Sequence, residues 1–492
     1  QYRSREKIQS FLKAVIMIIV NDNKKYDIEL KELGDMLFAK KIDVKVIDKE
    51  QMQLEDISNQ DVIMLEKVGN KVRLRLRKKD VYYEDEIEID FKEKLIYKKL
   101  LYNAICQNYD NISPKWGILT GIRPVKIVND LKKDGANNQA IYQVLREKYM
   151  ISSEKSNLIM GISDIQEEII SRLDKKISIY ISIPFCPSRC NYCSFFSMDI
   201  NKGKKFVDDY LKNLEIEIRH TLSMPYFKDK KISCIYVGGG TPSSLEYEEL
   251  RRFFKIISDN FNLSQVDEFT FEAGRVDTLD EEKLRIIYQN KVDRISINPQ
   301  TMNDATFGKI GRNHNSNDVR EVFSLARQIG FDNINMDLIM GLTGESIEDM
   351  QYSVDEIIKL DPQSITIHCL AVKRASDINT KKIKTDNLQI SNLMQEINEK
   401  LNSRGYEPYY LYRQKNMLEN GENIGYCKKE RYGLYNVAMM DEIQTIVGFG
   451  AGSSTKILDE ETNMIRRIPN YKDVILYNNN INEMLKRKEG LL

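Results

Sequence analysis

Between residues 173 and 375, a short strand-like run followed by a helical stretch recurs six times. No other feature of the chain constrains its fold as much. The runs are Ile177–Pro184, Ile232–Val237, Glu268–Glu272, Arg294–Gln300, Ile334–Met340 and Ser364–Leu370. Helical stretches such as Asp208–Leu222 and Glu246–Ser258 lie between them. A repeated strand–helix unit calls for a parallel sheet joined by right-handed crossovers. Parallel strands buried on both faces read as continuous apolar runs, but these alternate. Ile177, Ile179, Ile181 and Ile183 share one face, opposite Ser178, Tyr180 and Ser182. Phe269 and Phe271 oppose Glu268, Thr270 and Glu272. Ile295 and Ile297 oppose Arg294, Ser296, Asn298 and Gln300, and Ile334, Met336 and Leu338 oppose Asn333, Asn335 and Asp337.

A closed eight-stranded barrel fills its interior with branched apolar side chains. The alternation predicts something else: an α/β fold with a curved sheet, a partial (β/α)6 barrel. Its convex face packs on helices and its concave face is polar and needs a polar ligand. The competing arrangement is an open sheet with one solvated side, which six crossover helices disfavour.

The flanking regions differ in texture, which predicts three domains. Residues 1–172 form an α+β domain, with a strand at Val15–Val20, a helix near Leu30–Ala39 and a strand at Val44–Ile47. Val72, Leu74 and Leu76 alternate with Arg73, Arg75 and Arg77 as a half-exposed strand. Tyr82–Asp90 is its hairpin partner, and Phe91–Leu173 is mostly helical. Residues 173–375 are the sheet core. Residues 376–492 are a smaller domain closing the substrate site, with the glycine-rich segment Gly448–Ser453.

The cysteines carry the chemistry. Of the seven in the chain, Cys186, Cys190 and Cys193 fall in one C-x3-C-x2-C loop directly after the first core strand. An odd count scattered over a long chain argues against a disulfide framework. Three thiolates on one loop can grip a cubane iron–sulfur cluster, which usually takes four. One iron is then left for an outside ligand, and an amine–carboxylate chelate suits it. A structural zinc site is the competing reading, but zinc ligands come as spaced pairs or with histidine. His220, His314 and His368 are all distant in sequence. Cys106, Cys234, Cys369 and Cys427 read as small buried apolar residues.

Charge narrows the partners. Lysine plus arginine (74) equals aspartate plus glutamate (74), so a large nucleic-acid footprint is not supported. The apolar run Ala14–Val20 is too short to span a bilayer, which takes about 20 residues. The chain begins at Gln1, so a few residues are expected to be missing, and a cytoplasmic location is expected.

The stretch Tyr180–Phe195 resembles the cluster loop of radical S-adenosylmethionine (SAM) enzymes. Motifs from Ile177 to Leu370 resemble, in order, the oxygen-independent coproporphyrinogen III oxidase family. Segments Trp116–Pro124 and Tyr409–Met417 look like its HemZ-type branch. The resemblance implies a [4Fe-4S] cluster on Cys186, Cys190 and Cys193, and one or two molecules of SAM. It implies that Tyr180 packs on SAM, that Gly239, Gly240 and Thr241 in the turn Gly238–Pro242 approach its methionyl ammonium, and that Glu272 bonds its ribose. Gln300, Arg312 and Asp337 match contacts to a second SAM. Ala371 matches a further backbone contact, and Tyr192 an aromatic position beside the last cysteine. Each also has a plainer reading: Tyr180 as core, Glu272 and Asp337 as paired carboxylates, Arg312 as a surface charge. Ser182 stands where the family usually has histidine, and the tail lacks the family's His-Asn…Tyr-Trp signature.

The implied activity is decarboxylation of a tetrapyrrole substrate, coproporphyrinogen III, to protoporphyrinogen IX, with an unidentified electron donor and acceptor. Lys373, Arg374 and Arg413 are candidate partners for its propionates. Trp116 and Arg123 read as a packed turn or, less favoured, a carboxylate site. A haem chaperone and a radical SAM methyltransferase acting on haem share the same core motifs. RNA modification is weakened by the neutral charge balance.

Overall fold

The computed structural model describes residues 16–38, 42–54, 57, 60–121, 123–371, 389–415, 417–459, 461–462 and 464–489. The chain forms two compact units, Gln1–Gly161 with Arg413–Asn420, and Ile162–Tyr412 with Gly421–Leu492.

The first unit is built on a five-stranded sheet of β1 (Ile16–Asn21), β2 (Asp43–Ile47), β3 (Asp61–Val68), β4 (Lys71–Lys78) and β5 (Val81–Glu88), in the order β2-β1-β3-β4-β5. The period-two reading of β4 holds: Val72, Leu74 and Leu76 are buried. On its other face Arg73 pairs with Glu86, and Arg75 with Glu66. Helix Glu93–Asn108 packs on β4 and β5, and Pro124–Lys133 and Ser153–Leu173 supply most of the expected helical region. The division at residue 161 falls inside that last helix, upstream of the expected boundary at 172. Trp116 is 2% exposed and stacks under Arg413, 5.0 Å from its guanidinium carbon. That burial agrees with the packed-turn reading of its segment.

All six expected core strands form in the second unit. They are β6 (Lys176–Ile183), β7 (Lys231–Gly239), β8 (Glu268–Gly274), β9 (Arg294–Ile297), β10 (Ile334–Met340) and β11 (Ser364–Cys369). They pair in parallel and in chain order, as successive crossovers to the neighbouring position require. β9 stops short of its expected end because Pro299 has no N–H for the ladder. Gln300 follows at φ +72° and makes a lone bridge to Leu338.

Residues 376–492, expected as a separate closing domain, add five strands to this same sheet. β12 (Tyr406–Tyr412) and β13 (Asn423–Lys428) extend it antiparallel beyond β11. β14 (Ile446–Phe449) pairs in parallel with β6, and β15 (Ser454–Leu458) and β16 (Ile465–Pro469) continue outward. The sheet has eleven strands, in the order β12-β13-β11-β10-β9-β8-β7-β6-β14-β15-β16. Its two end strands are not paired with each other among the described residues.

The apolar strand face is fully buried, as expected: Ile177, Ile179, Ile181, Phe269, Phe271, Ile295, Met336 and Leu338 are 3% exposed or less. The polar face differs from expectation in its amino-terminal half, where the chain itself fills it. Ser178 donates to Gln444 (2.7 Å), and Glu268 accepts from the amides of Leu434 (2.7 Å) and Tyr435 (3.3 Å). Thr366 donates to Asn335 (3.2 Å), which donates to Asp337 (2.7 Å). Only the carboxyl-terminal half leaves polar side chains for another role.

Candidate functional site

The carboxyl ends of β6–β11 bring most of the singled-out residues together. The chain leaves β6 at Ile183 and enters the cysteine loop through Phe185, whose carbonyl accepts from Thr241 N (2.7 Å). Gly240 N bonds the Ile183 carbonyl (2.8 Å). A β-carbon on Gly240 would lie 2.5 Å from the Phe185 carbonyl oxygen, and Gly239 sits at φ +110°. Glycine is required at both positions by backbone approach. The far side of the loop is pinned by Asn191, whose side chain donates to Lys309 O (2.6 Å), and by Ser188, which donates to Gly311 O (3.1 Å).

Within the loop Cys190 is buried, and Cys186 and Cys193 are partly exposed. Burial pushes the Cys186 and Cys193 thiols up, and each senses the charge of Cys190. The loop therefore holds the three thiols near enough to sense one another's charge. A metal must displace their protons to bind as thiolate, which couples affinity to pH. Thr241 Oγ1 donates to Cys186 Sγ at 3.5 Å. Among the described residues, no three His, Cys, Asp or Glu side chains converge closely enough for one metal ion. One zinc draws every thiolate to about 2.3 Å. A cubane spreads its thiolates over separate irons, and three cysteines on one short loop suit that chemistry.

Tyr192 and Arg312 flank the thiols. Arg312 is 6% exposed; it donates to the Asn298 carbonyl and to the Tyr192 hydroxyl (3.0 Å). Its burial opposes the charge, but Tyr192 and Cys190 hold it firmly protonated. Its Nε is buried with no hydrogen-bond partner. Arg312 is therefore a core cation with a donor to spare, and the surface reading fails.

Glu272 and Asp337 face the same space. Burial pushes the Glu272 carboxyl up to about 7, despite a hydrogen bond from Tyr236. Burial acts the same way on Asp337, but His368 (3.6 Å), Asn335 and Thr366 overcome it and hold that carboxyl below its usual range. Gln300 braces this strand end: its N–H bonds Asp337 O and its carbonyl accepts from Ile339 N, both at 2.9 Å. Tyr180 stacks with Tyr236 and Tyr435, each centroid 6.3 Å away, so the core reading describes its packing. Ala371 lies just past β11. Lys373 and Arg374 fall outside the described residues. Arg413 donates to Leu119 O (2.8 Å) and to Asn420 within the first unit.

Sequence reasoning missed Tyr236, His368 and Arg275. His368 continues the polar face of β11 beyond Ser364 and Thr366, so the alternation rule could have found it. Tyr236 and Arg275 gave no such signal.

The pattern of the radical SAM superfamily matches residues 180–357. The chain is 38% identical over 402 residues to the oxygen-independent coproporphyrinogen-III oxidase-like protein HemZ of Bacillus subtilis, covering 79% of this chain and 80% of that one. It is 32% identical over 306 residues to the heme chaperone HemW of the same organism, covering 61% of this chain and 76% of that one. The coproporphyrinogen III oxidase HemN of Escherichia coli shares the fold, with a TM-score of 0.51 at 22% identity over 66% of this chain and 73% of that one. The chain therefore belongs to the radical SAM superfamily, with its [4Fe-4S] cluster and S-adenosylmethionine as cofactors, and within it to the coproporphyrinogen III oxidase-like family.

Proposed function

We propose that this chain decarboxylates coproporphyrinogen III to protoporphyrinogen IX without oxygen. In this reading Cys186, Cys190 and Cys193 hold the cluster. Tyr180, Tyr192, Gly239, Gly240, Thr241, Glu272, Gln300, Arg312, Asp337 and Ala371 line the places for S-adenosylmethionine. The observation that carries it is the buried Arg312 against Tyr192 of the thiol loop, together with buried Gln300 bonded to the backbone of the half-buried Asp337. A cation with an unused donor and a carboxylate kept ionised suit a second zwitterionic ligand.

When bound, cluster and S-adenosylmethionine supply one-electron cleavage of a carbon–sulfur bond and so a carbon radical able to take hydrogen. The chain's own groups bind and orient. Gly239 and Gly240 let backbone approach an ammonium, Glu272 accepts from sugar hydroxyls, and Asp337 stays charged against a second ammonium. The Tyr180–Tyr236–Tyr435 stack keeps water from the strand side. Two of the substrate's propionates each lose one hydrogen atom, one electron and carbon dioxide, leaving a vinyl group. An electron donor would have to reduce the bound cluster, and an acceptor would have to take the substrate electron.

The test is anaerobic reconstitution with iron and sulfide, then dithionite, S-adenosylmethionine and coproporphyrinogen, read by mass spectrometry. Loss of two carbon dioxides with formation of 5′-deoxyadenosine is expected. Methylated or ring-opened product would replace this reading with a methyltransferase. The similarity to heme chaperones favours a second reading, haem handling. Tight haem binding by a preparation that cleaves S-adenosylmethionine but leaves coproporphyrinogen untouched would establish it. Cys190→Ala should abolish the visible cluster absorption. Cys427→Ala, in the sheet core at 0% exposure, should not.

A further inference from the structure

Arg275 follows β8 directly and is 3% exposed. Two of its nitrogens fork onto Asp277: Nε to Oδ1 at 2.9 Å and Nη2 to Oδ2 at 2.5 Å. Such a bidentate pair satisfies a guanidinium and fixes its plane. The third nitrogen turns away from Asp277 into the thiol loop. Nη1 donates to Ser188 Oγ (2.8 Å) and Ser188 O (3.2 Å), and stands 3.9 Å from Cys190 Sγ. The base of this arm is itself rigid. Thr278 bonds the Arg275 carbonyl through its hydroxyl (2.7 Å) and its N–H (3.1 Å). His314 closes the far side of Asp277 at 3.8 Å and packs on Phe307 at 4.6 Å.

We propose that Arg275 is a potential-tuning and positioning residue. Clamped by Asp277, it pins the loop at Ser188 and fixes the positive end of a buried ion pair against the sulfur of Cys190. This rests on the assignment of that loop as the cluster site. Reduction adds a negative charge to a cluster, so a nearby cation and an N–H donor at sulfur favour the reduced form. Burial leaves that charge little screened by salt. Arg312 also faces Cys190, but it has ligand-facing work in the proposed function, whereas every nitrogen of Arg275 is already committed within the chain.

The experiment is a redox titration of the reconstituted protein without S-adenosylmethionine. It follows the visible absorption and the electron paramagnetic resonance of the reduced cluster in wild type, R275Q and R275K. At a fixed potential, R275Q is expected to hold about tenfold less reduced cluster, which for a one-electron couple is a shift of about 59 mV to lower potential. R275K keeps the charge without the fork and should recover part of that. A cluster in R275Q titrating with wild type overturns the inference alone. No cluster in wild type overturns the site assignment with it. If R275Q takes up no cluster, retention in R275K supports the charge, and equal loss in both overturns it in favour of shape.

Discussion

Glu272 is where the site opposes the stability of the fold. Its carboxyl is held up at about 7 from an ordinary 4.5, first by burial and then by the charge of Asp337. The native state therefore keeps a proton that the unfolded chain has released. Stability falls as pH rises from about 4.5 to 7, and the deficit persists above that window. Glu272→Gln removes it. At about 1.4 kcal/mol per tenfold and with some solvent access, the variant should be on the order of 2 kcal/mol more stable than wild type at pH 8. The two should unfold alike near pH 4. Urea unfolding of the cofactor-free protein at both values checks this. A glutamine no more stable at pH 8 would mean that Glu272 is solvated. The same variant should bind S-adenosylmethionine more weakly, measured by calorimetry on the reconstituted protein. A residue that lowers stability yet improves binding marks a functional position.

Helix Leu434–Asp441 shows what one element does for the sheet. Its first amides point at Glu268, a carboxylate on β8 far away in sequence, which accepts from Leu434 N and Tyr435 N. An anion at a helix amino terminus satisfies orphan donors and complements the dipole. Burial pushes the Glu268 carboxyl up, and the charge of Arg294, 2% exposed, and the two amides offset part of that. Glu268→Ala removes an acceptor for two amides and takes a nearby carboxyl from the buried Arg294 guanidinium, which keeps Asn333, so a loss of about 3 kcal/mol is expected in urea unfolding. Glu268→Gln keeps one acceptor oxygen and should lose less. This element also shows where sequence reading stops. The strands β6–β11 were legible because a half-polar strand announces itself by period-two alternation within a few residues. What covers the polar face was not, because the cover is Gln444, Tyr410 and the Leu434–Asp441 helix, chosen by contacts that skip tens to hundreds of residues. β14 was hidden for a related reason. Its apolar content, Ile446–Phe449, runs into glycines that read as a loop. The cysteine loop and the Gly238–Pro242 turn were legible because their chemistry is local, whereas Arg275 and His368 gain meaning only from what they face.

The second unit as a whole is fastened by its last helix, and this carries the final prediction. Lys488, on helix Ile481–Glu489, is 1% exposed and pairs with Glu217, which is 0% exposed. Glu217 also accepts from Asn470 (2.7 Å), Tyr477 (2.7 Å) and Gly450 N (2.8 Å). The network joins helix Val207–Leu222, the segment after β14 and both carboxyl-terminal helices. It also reaches the site. A β-carbon on Gly450 would lie 2.7 Å from Ser182 O, and that carbonyl accepts from Tyr210 at 2.6 Å, four residues before Cys186. Lys488→Met strands Glu217 without its cation, and breaking one side of a buried pair removes about 3–5 kcal/mol. The double variant Glu217→Gln, Lys488→Met leaves no buried charge and an amide that can serve Tyr477 and Gly450. It should regain most of that loss. Urea unfolding of wild type, both single variants and the double variant gives the coupling. Because the strain falls at the end of β6, Lys488→Met should also retain less cluster absorption, and the double variant should restore it. Absorption that stays at the wild-type level while stability drops would confine this network to holding the tail.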